Sequence, residues 1–150
     1  MKVRTSHPIP KPIEAVWPLL CDSRTTLPHR SLLFRLGLPR PVECRLPDGE
    51  GGVGQQRECV SADGSVTQEI TAWEPPYRLE FRMVRTNLIH RLFTDEVVER
   101  FELESIAAGS TQVTRTTTVK LKKPFFLACP FVKLGVRTVH RFVITNWAAA

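Results

Sequence analysis

The stretch from Pro130 to Trp147 constrains this chain more than any other. Wound at about 3.6 residues per turn, it gathers Phe131, Leu134, Gly135, Thr138, Val139, Phe142 and Asn146 on one broad arc, which Val132, Val136 and Val143 widen. Lys133, Arg137, His140 and Arg141 fall on the opposite side. The spacing predicts a long amphipathic helix with a wide apolar face. Pro130 suits its first turn, where no backbone donor is needed, and Gly135 lets a neighbour come close to the backbone. Nearly everything before this stretch reads as strand, and a curved antiparallel sheet is the surface such a helix can lie against. The expectation is a sheet that wraps the helix incompletely and leaves a cavity between them.

The strands can be placed in order. Residues 2 to 8 alternate Val3, Thr5 and His7 against Lys2, Arg4 and Ser6. A short helix follows, with Ile13, Val16, Trp17 and Leu20 on one face and Pro18 predicting a kink. A second short helix is expected from Pro28 to Leu36, stopped by Gly37. The Pro- and Gly-rich segment to Gly52 leaves room for one short strand, Val42 to Leu46, and predicts a mobile tip. Val53 to Ala62 and Ser65 to Trp73 flank Asp63-Gly64, a two-residue hairpin signal that sets Glu58 opposite Glu69.

Glu74-Pro75-Pro76-Tyr77 turns the chain into Arg78 to Thr86. Setting Trp73 opposite Arg78 brings Ile70 to Phe81 and Ala72 to Leu79 on one face, with Glu69 facing Arg82 on the other. Residues 87 to 94 form a connection without a clear pattern. Asp95 to Ser105 then pairs with Thr111 to Lys122, placing Glu99 opposite Thr117 and one diagonal step from Arg115. The result is an α+β chain with about seven antiparallel strands around the final helix.

At 150 residues the chain fits one domain, able to bury roughly 70% of its unfolded surface. No apolar run approaches the roughly 20 residues a spanning helix needs, and the first residues lack the apolar core of a signal peptide. The cytoplasm is therefore the expected compartment, and Cys21, Cys44, Cys59 and Cys129 are expected to be reduced. No Cys–His spacing suggests a metal, and no cofactor motif is present. The net charge of +6 comes from arginines scattered along the whole chain, without the aromatic interleaving that a nucleic-acid surface uses.

This order of elements resembles the SRPBCC superfamily, the START-related and birch-allergen-like helix-grip fold, and within it the polyketide cyclase/dehydrase and lipid-transport branch. The residues that carry the likeness are Ile9-Pro10 through Val16-Trp17 to Asp22, Gly52-Val53-Gly54, and Ile70 to Phe81 with Trp73-Glu74-Pro75-Pro76-Tyr77 inside it. Gly109-Ser110-Thr111 leading into Val113, and the closing helix, complete it. The resemblance spans essentially the whole chain and implies a single domain with a deep pocket for a hydrophobic ligand. It leaves transporter, cyclase and chaperone roles open.

On the concave face the expected apolar walls are Ile70, Leu79, Phe81, Met83, Phe101 and Val113, closed by Phe131, Gly135, Val139 and Phe142 of the helix. From periodicity alone the same residues fit a solid core. Glu99, Arg115 and Thr117 are the polar exceptions, with Arg57, Gln55 and Gln68 in less certain register. Glu99 and Arg115 either neutralise one another or meet a polar group of a ligand. As a catalytic alternative, Glu99 would serve as a base and Arg115 as an oxyanion stabiliser in a cyclase or aromatase. Asn146 either binds ligand or caps the helix end, and Cys21 and Cys129 are expected to be packing residues. The stripe Lys133, Arg137 and Arg141, with Lys120, Lys122 and Lys123, reads as a solvated face, as a peripheral contact with an anionic membrane, or as a protein-interaction surface. A monomer and a homodimer are equally compatible with the sequence.

Overall fold

The computed structural model describes residues 1–46 and 51–150. Strand β1 (Lys2–Ile9) leads into helix α1 (Ile13–Cys21), strand β2 (Asp22–Arg24) and helix α2 (Leu32–Arg35). Strands β3 (Pro41–Arg45), β4 (Gln56–Ser61), β5 (Gly64–Glu74), β6 (Arg78–Thr86), β7 (Thr94–Ala107) and β8 (Ser110–Leu121) follow, and helix α3 (Cys129–Ala149) closes the chain. The strands form one antiparallel sheet in the order β1-β8-β7-β6-β5-β4-β3-β2. Among the described residues the sheet has 8 strands where about seven were expected. The extra strand is β2, whose three residues pair with β3 and are too few to show any alternation.

Charge and burial set most of the registers. Ile70 faces Phe81 and Glu69 faces Arg82, as the apolar and charged faces require. Nearer the Pro-Pro turn the expected pairing is displaced by one, because Trp73 meets Leu79 and a bulge at Thr71 absorbs the difference. The Asp-Gly hairpin also differs. The tight turn is Ala62-Asp63, and Gly64 already pairs with Ser61. Glu58 therefore opposes Thr67, not Glu69, and no like-charge pair arises. Gly64 is needed for a close approach, since a Cβ there would lie 2.2 Å from Oδ1 of Asn87. That oxygen accepts the Ser65 N–H at 2.8 Å.

The helices are adjusted in similar ways. α1 continues through Pro18 and buries Ile13, Val16 and Leu20. α2 is confined to four residues where a helix from Pro28 was expected. Ser31 caps it by accepting the Leu33 N–H, and Gly37, at φ 105°, lies just beyond it. A 3-10 turn, Ile89–Leu92, occupies the connection between β6 and β7. The expected mobile tip at residues 47–50 lies outside the described residues.

The four cysteines are not all reduced. Register places Cys44 of β3 directly opposite Cys59 of β4, and the two form a disulfide. The pairing was hidden in the sequence because the long Pro- and Gly-rich connection from β3 to β4 offers several turn positions and so fixes no single register. Cys21 and Cys129 are free.

α3 lies across the sheet rotated by about a quarter turn from the expected orientation, at roughly 100° per residue. Its buried residues are Gly135, His140, Val143, Ile144, Asn146 and Trp147. His140, expected on the polar side, is 1% exposed, while Phe131 is 78% exposed. The rotation follows from the C-terminal half of the helix. Trp147 and Val143 enter a cluster with Ile9, Val16, Leu20, Ile70, Leu79, Phe81, Phe101 and Val113, each such side chain contributing about 1.5–3 kcal/mol of burial. The indole N–H of Trp147 donates to Ser23 Oγ at 2.9 Å and fixes the helix angle. Among the described residues no helix is long and apolar enough to cross a membrane.

Candidate functional site

The C-terminal half of α3 enters the core cluster, with His140, Val143 and Trp147 also bordering a hollow that lies mainly along the N-terminal half. Between that half, strands β4, β5, β7 and β8 and the segment from α2 to β3 lies a cavity of about 540 Å³. Gly135 permits this arrangement, because a Cβ there would lie 3.1 Å from Leu38 Cδ1 on the α2–β3 segment. Phe131, Leu134, Gly135, Val136 and Val139 form the helical wall. Val66, Val97, Phe101 and Val119 form the apolar part of the sheet wall. Leu36, Ile89, Phe125, Phe131 and Leu134 line the cavity and are also exposed, so they surround its opening.

The polar lining comes from alternate residues of the long strands. Glu99, Arg115 and Thr117 all face the cavity, as the β7–β8 register requires. Arg115 is 7% exposed and donates from Nε and Nη2 to one oxygen of Glu99, Oε2, at 3.0 and 2.5 Å. Its third nitrogen, Nη1, is buried without a partner among the described residues. Its guanidinium carbon lies 5.0 Å from the centre of the Phe101 ring.

Arg57 enters from β4, 5% exposed, with Nε donating to Gln68 Oε1 and Nη1 to the Leu20 carbonyl, both at 2.9 Å. It lies over the Phe81 ring at 3.7 Å. Burial pulls its pKa down to about 9, opposed by the Glu99 carboxylate and assisted by the Arg115 charge, so it remains protonated at neutral pH.

His140 lies deeper. Its Nε2 is 2.7 Å from Thr117 Oγ1 and its Nδ1 is 2.8 Å from Thr5 Oγ1. Burial, with help from Arg115 and His7, lowers its pKa to about 2, which keeps the ring neutral. Burial likewise lowers the pKa of His90, against the raising effect of Glu99. The Cys21 thiol is pushed up to about 11 by burial, against the lowering effect of the Arg57 charge.

Several expected wall residues lie elsewhere. Ile70, Leu79, Phe81 and Val113 are each 0% exposed, within the solid cluster and not on the cavity. Met83 contacts Nε2 of His90 through its sulfur. Phe142 packs on Phe34 of the α2 segment, ring centres 5.1 Å apart. Asn146 neither caps the helix nor reaches the cavity. Its Oδ1 accepts the N–H groups of Thr26 and Leu27 at 2.8 and 2.9 Å, and so ties the chain after β2 to α3.

Phe101, Glu99, Arg115, Thr117, Phe131, Gly135 and Val139 do meet at the cavity. The α2–β3 segment, the Cys44–Cys59 bridge and His140 line it as well, and the sequence offered no periodic signal for the first two. Among the described residues no group of three or more His, Cys, Asp or Glu side chains converges to hold a metal.

An antiparallel sheet of eight strands closed by one long terminal helix, with a hollow under the helix, defines a helix-grip protein. The chain belongs to the family described as polyketide cyclase / dehydrase and lipid transport, whose model matches residues 1–149.

Solved structures share the fold. A START superfamily protein from Mycobacterium smegmatis matches at TM-score 0.68 and 11% identity, over 99% of this chain and 94% of that one. A protein from Nitrosospira multiformis matches at TM-score 0.65 and 18% identity, over 99% and 94%. The major latex-like protein 151 of Panax ginseng matches at 0.62 and 15%, over 97% and 95%. No curated protein matches the chain.

Proposed function

We propose that the protein binds, and by release elsewhere carries, a small hydrophobic molecule in the cavity under the N-terminal half of α3. The observation that carries this reading is the cavity itself: about 540 Å³ with mainly apolar walls, within the range of about 300–1,000 Å³ typical of small-molecule sites. The test is organic extraction of the purified protein followed by mass spectrometry. A lipid-like, aromatic or polyketide-like compound recovered in near-stoichiometric amount is expected. Empty extracts from protein that also binds no apolar dye would remove the reading.

Peripheral contact with an anionic membrane belongs to the same reading, because a carrier must load and unload. Phe126 and Leu127, 65% and 78% exposed, stand beside the opening with Leu36, Ile89 and Phe131. Lys122, Lys123, Lys133 and Arg137 flank them, and no Asp or Glu occurs from Ser105 to Ala150. Apolar tips inside a basic frame suit a negatively charged interface.

A cyclase-type reaction is the second reading, favoured by the position of Glu99 and Arg115 on the cavity wall and not in bulk solvent. Binding is the better supported of the two. Both guanidinium bonds end on one oxygen of Glu99, so Arg115 already occupies the group that would have to take a proton from a substrate. A polyketide-like substrate turned over equally well by Glu99→Gln would exclude the proposed base.

A further inference from the structure

The charges lining the cavity do not cancel. Glu99 is the one carboxylate among the described lining residues, against the two guanidinium groups of Arg57 and Arg115. Glu99 bonds Arg115 alone, while Arg57 meets only neutral acceptors, the Gln68 amide and the Leu20 carbonyl. The lining histidines, His90 and His140, are held neutral by burial. One positive charge is therefore left over in a largely apolar space, where an uncompensated ion is costly. The Nη1 group of Arg115 is at the same time buried without an acceptor among the described residues. A buried donor of that kind is rare unless something else satisfies it.

We infer that the ligand is an amphipathic anion, an apolar body bearing one carboxylate-like oxygen group that pairs with the Arg115 guanidinium and neutralises the excess charge shared with Arg57. The inference rests on the binding reading above and specifies its ligand class. The burial of Arg115 at 7% exposure, against 39% at Phe125 and 78% at Phe131, gives the orientation. The acid group lies innermost, and the apolar body runs outward between α3 and the sheet to the aromatic rim. Neutral sterol-like or cationic amphiphiles leave both the charge and the donor unmet. A fatty acid and an aromatic acid share the recognised chemistry and differ only in the body.

Calorimetric titration at pH 7.5 with two matched pairs tests this: decanoate against 1-decanol, and 2-naphthylacetate against 2-naphthaleneethanol. The acid of at least one pair is expected to bind about tenfold or more tighter than its alcohol, as a charge-assisted bond in a dry site implies. Arg115→Gln should bring that ratio close to one with little change in alcohol affinity. Glu99→Gln, which leaves two cations without a carboxylate, should widen it.

Alcohols that bind as tightly as their acids would overturn the inference while leaving the cavity reading intact. Failure of all four compounds to bind would count against the cavity reading instead. Should Arg115→Gln not fold, the wild-type ratio and the direction of the Glu99→Gln change still decide the matter. A ratio that Glu99→Gln leaves unchanged or narrows contradicts the charge balance.

Discussion

Nε2 of His140 lies 2.7 Å from the hydroxyl of Thr117, joining the middle of α3 to β8 from inside the molecule. Thr5 takes the other ring nitrogen, so one neutral imidazole links the helix to β1 and β8 together. Because burial lowers the His140 pKa in the folded chain to about 2, only the unfolded chain takes up this proton near pH 6. Stability is complete above the unfolded pKa of about 6.5 and falls as the pH drops below it. The loss is about 1.4 kcal/mol per pH unit. Urea unfolding at pH 7.5 and pH 5.0 should show the wild type losing about 2 kcal/mol more than His140→Gln. Equal losses in the two proteins would show that the ring is not held neutral.

The rotated helix makes opposite predictions for its two ends. Trp147→Ala removes a side chain that is 2% exposed and should cost about 3–5 kcal/mol in urea unfolding. Phe131→Ala alters a ring that is 78% exposed, and its stability change should stay within about 0.5 kcal/mol. Comparable losses at the two positions would restore the orientation expected from the sequence, with Phe131 inward.

Thiol titration of denatured, unreduced protein should find two reactive cysteines, Cys21 and Cys129, and reduction should release two more. The Cys44–Cys59 bridge spans 15 residues, a loop whose closure contributes about 3 kcal/mol. Reduction should lower the urea midpoint accordingly. Four reactive thiols before reduction would contradict the bridge.

Membrane contact is testable at the rim. Replacing Phe126 and Leu127 together with Asp removes two exposed apolar side chains and adds charge of the wrong sign. Partition onto vesicles containing phosphatidylserine should fall at least about tenfold, with no change on unfolding curves. Undiminished partition would place the contact elsewhere or remove it.

The helix-grip architecture was legible because strand alternation and paired charges survive translation into contacts. Ile70–Phe81, Glu69–Arg82 and Glu99–Thr117 are pairs that alternation alone could specify. Glu99 and Arg115 stood out for the same reason, as charges on an otherwise apolar face. The parts that stayed hidden depend on tertiary choices.

A wide apolar arc on α3 did not reveal which edge of it turns inward, because Trp147, Ile144 and His140 belong to the winning side only once Ser23, Thr5 and Thr117 are in place. Ile70, Leu79, Phe81 and Val113 face the same side of the sheet as Phe101, yet α1 and the end of α3 cover them, so they fill a core while Phe101 also borders the cavity. The α2–β3 segment has no period to read, and its contribution to the cavity comes from Leu38 resting on Gly135.

The central claim, an open space between the sheet and the first half of α3, is tested most directly by titration with the neutral dye N-phenyl-1-naphthylamine. Wild-type protein is predicted to bind it saturably at one molecule per chain. Val139→Trp, which adds bulk on the cavity wall, should abolish that binding while the protein keeps its cooperative unfolding. Absence of saturable dye binding in the wild type, or undiminished binding in a folded Val139→Trp variant, would contradict the account.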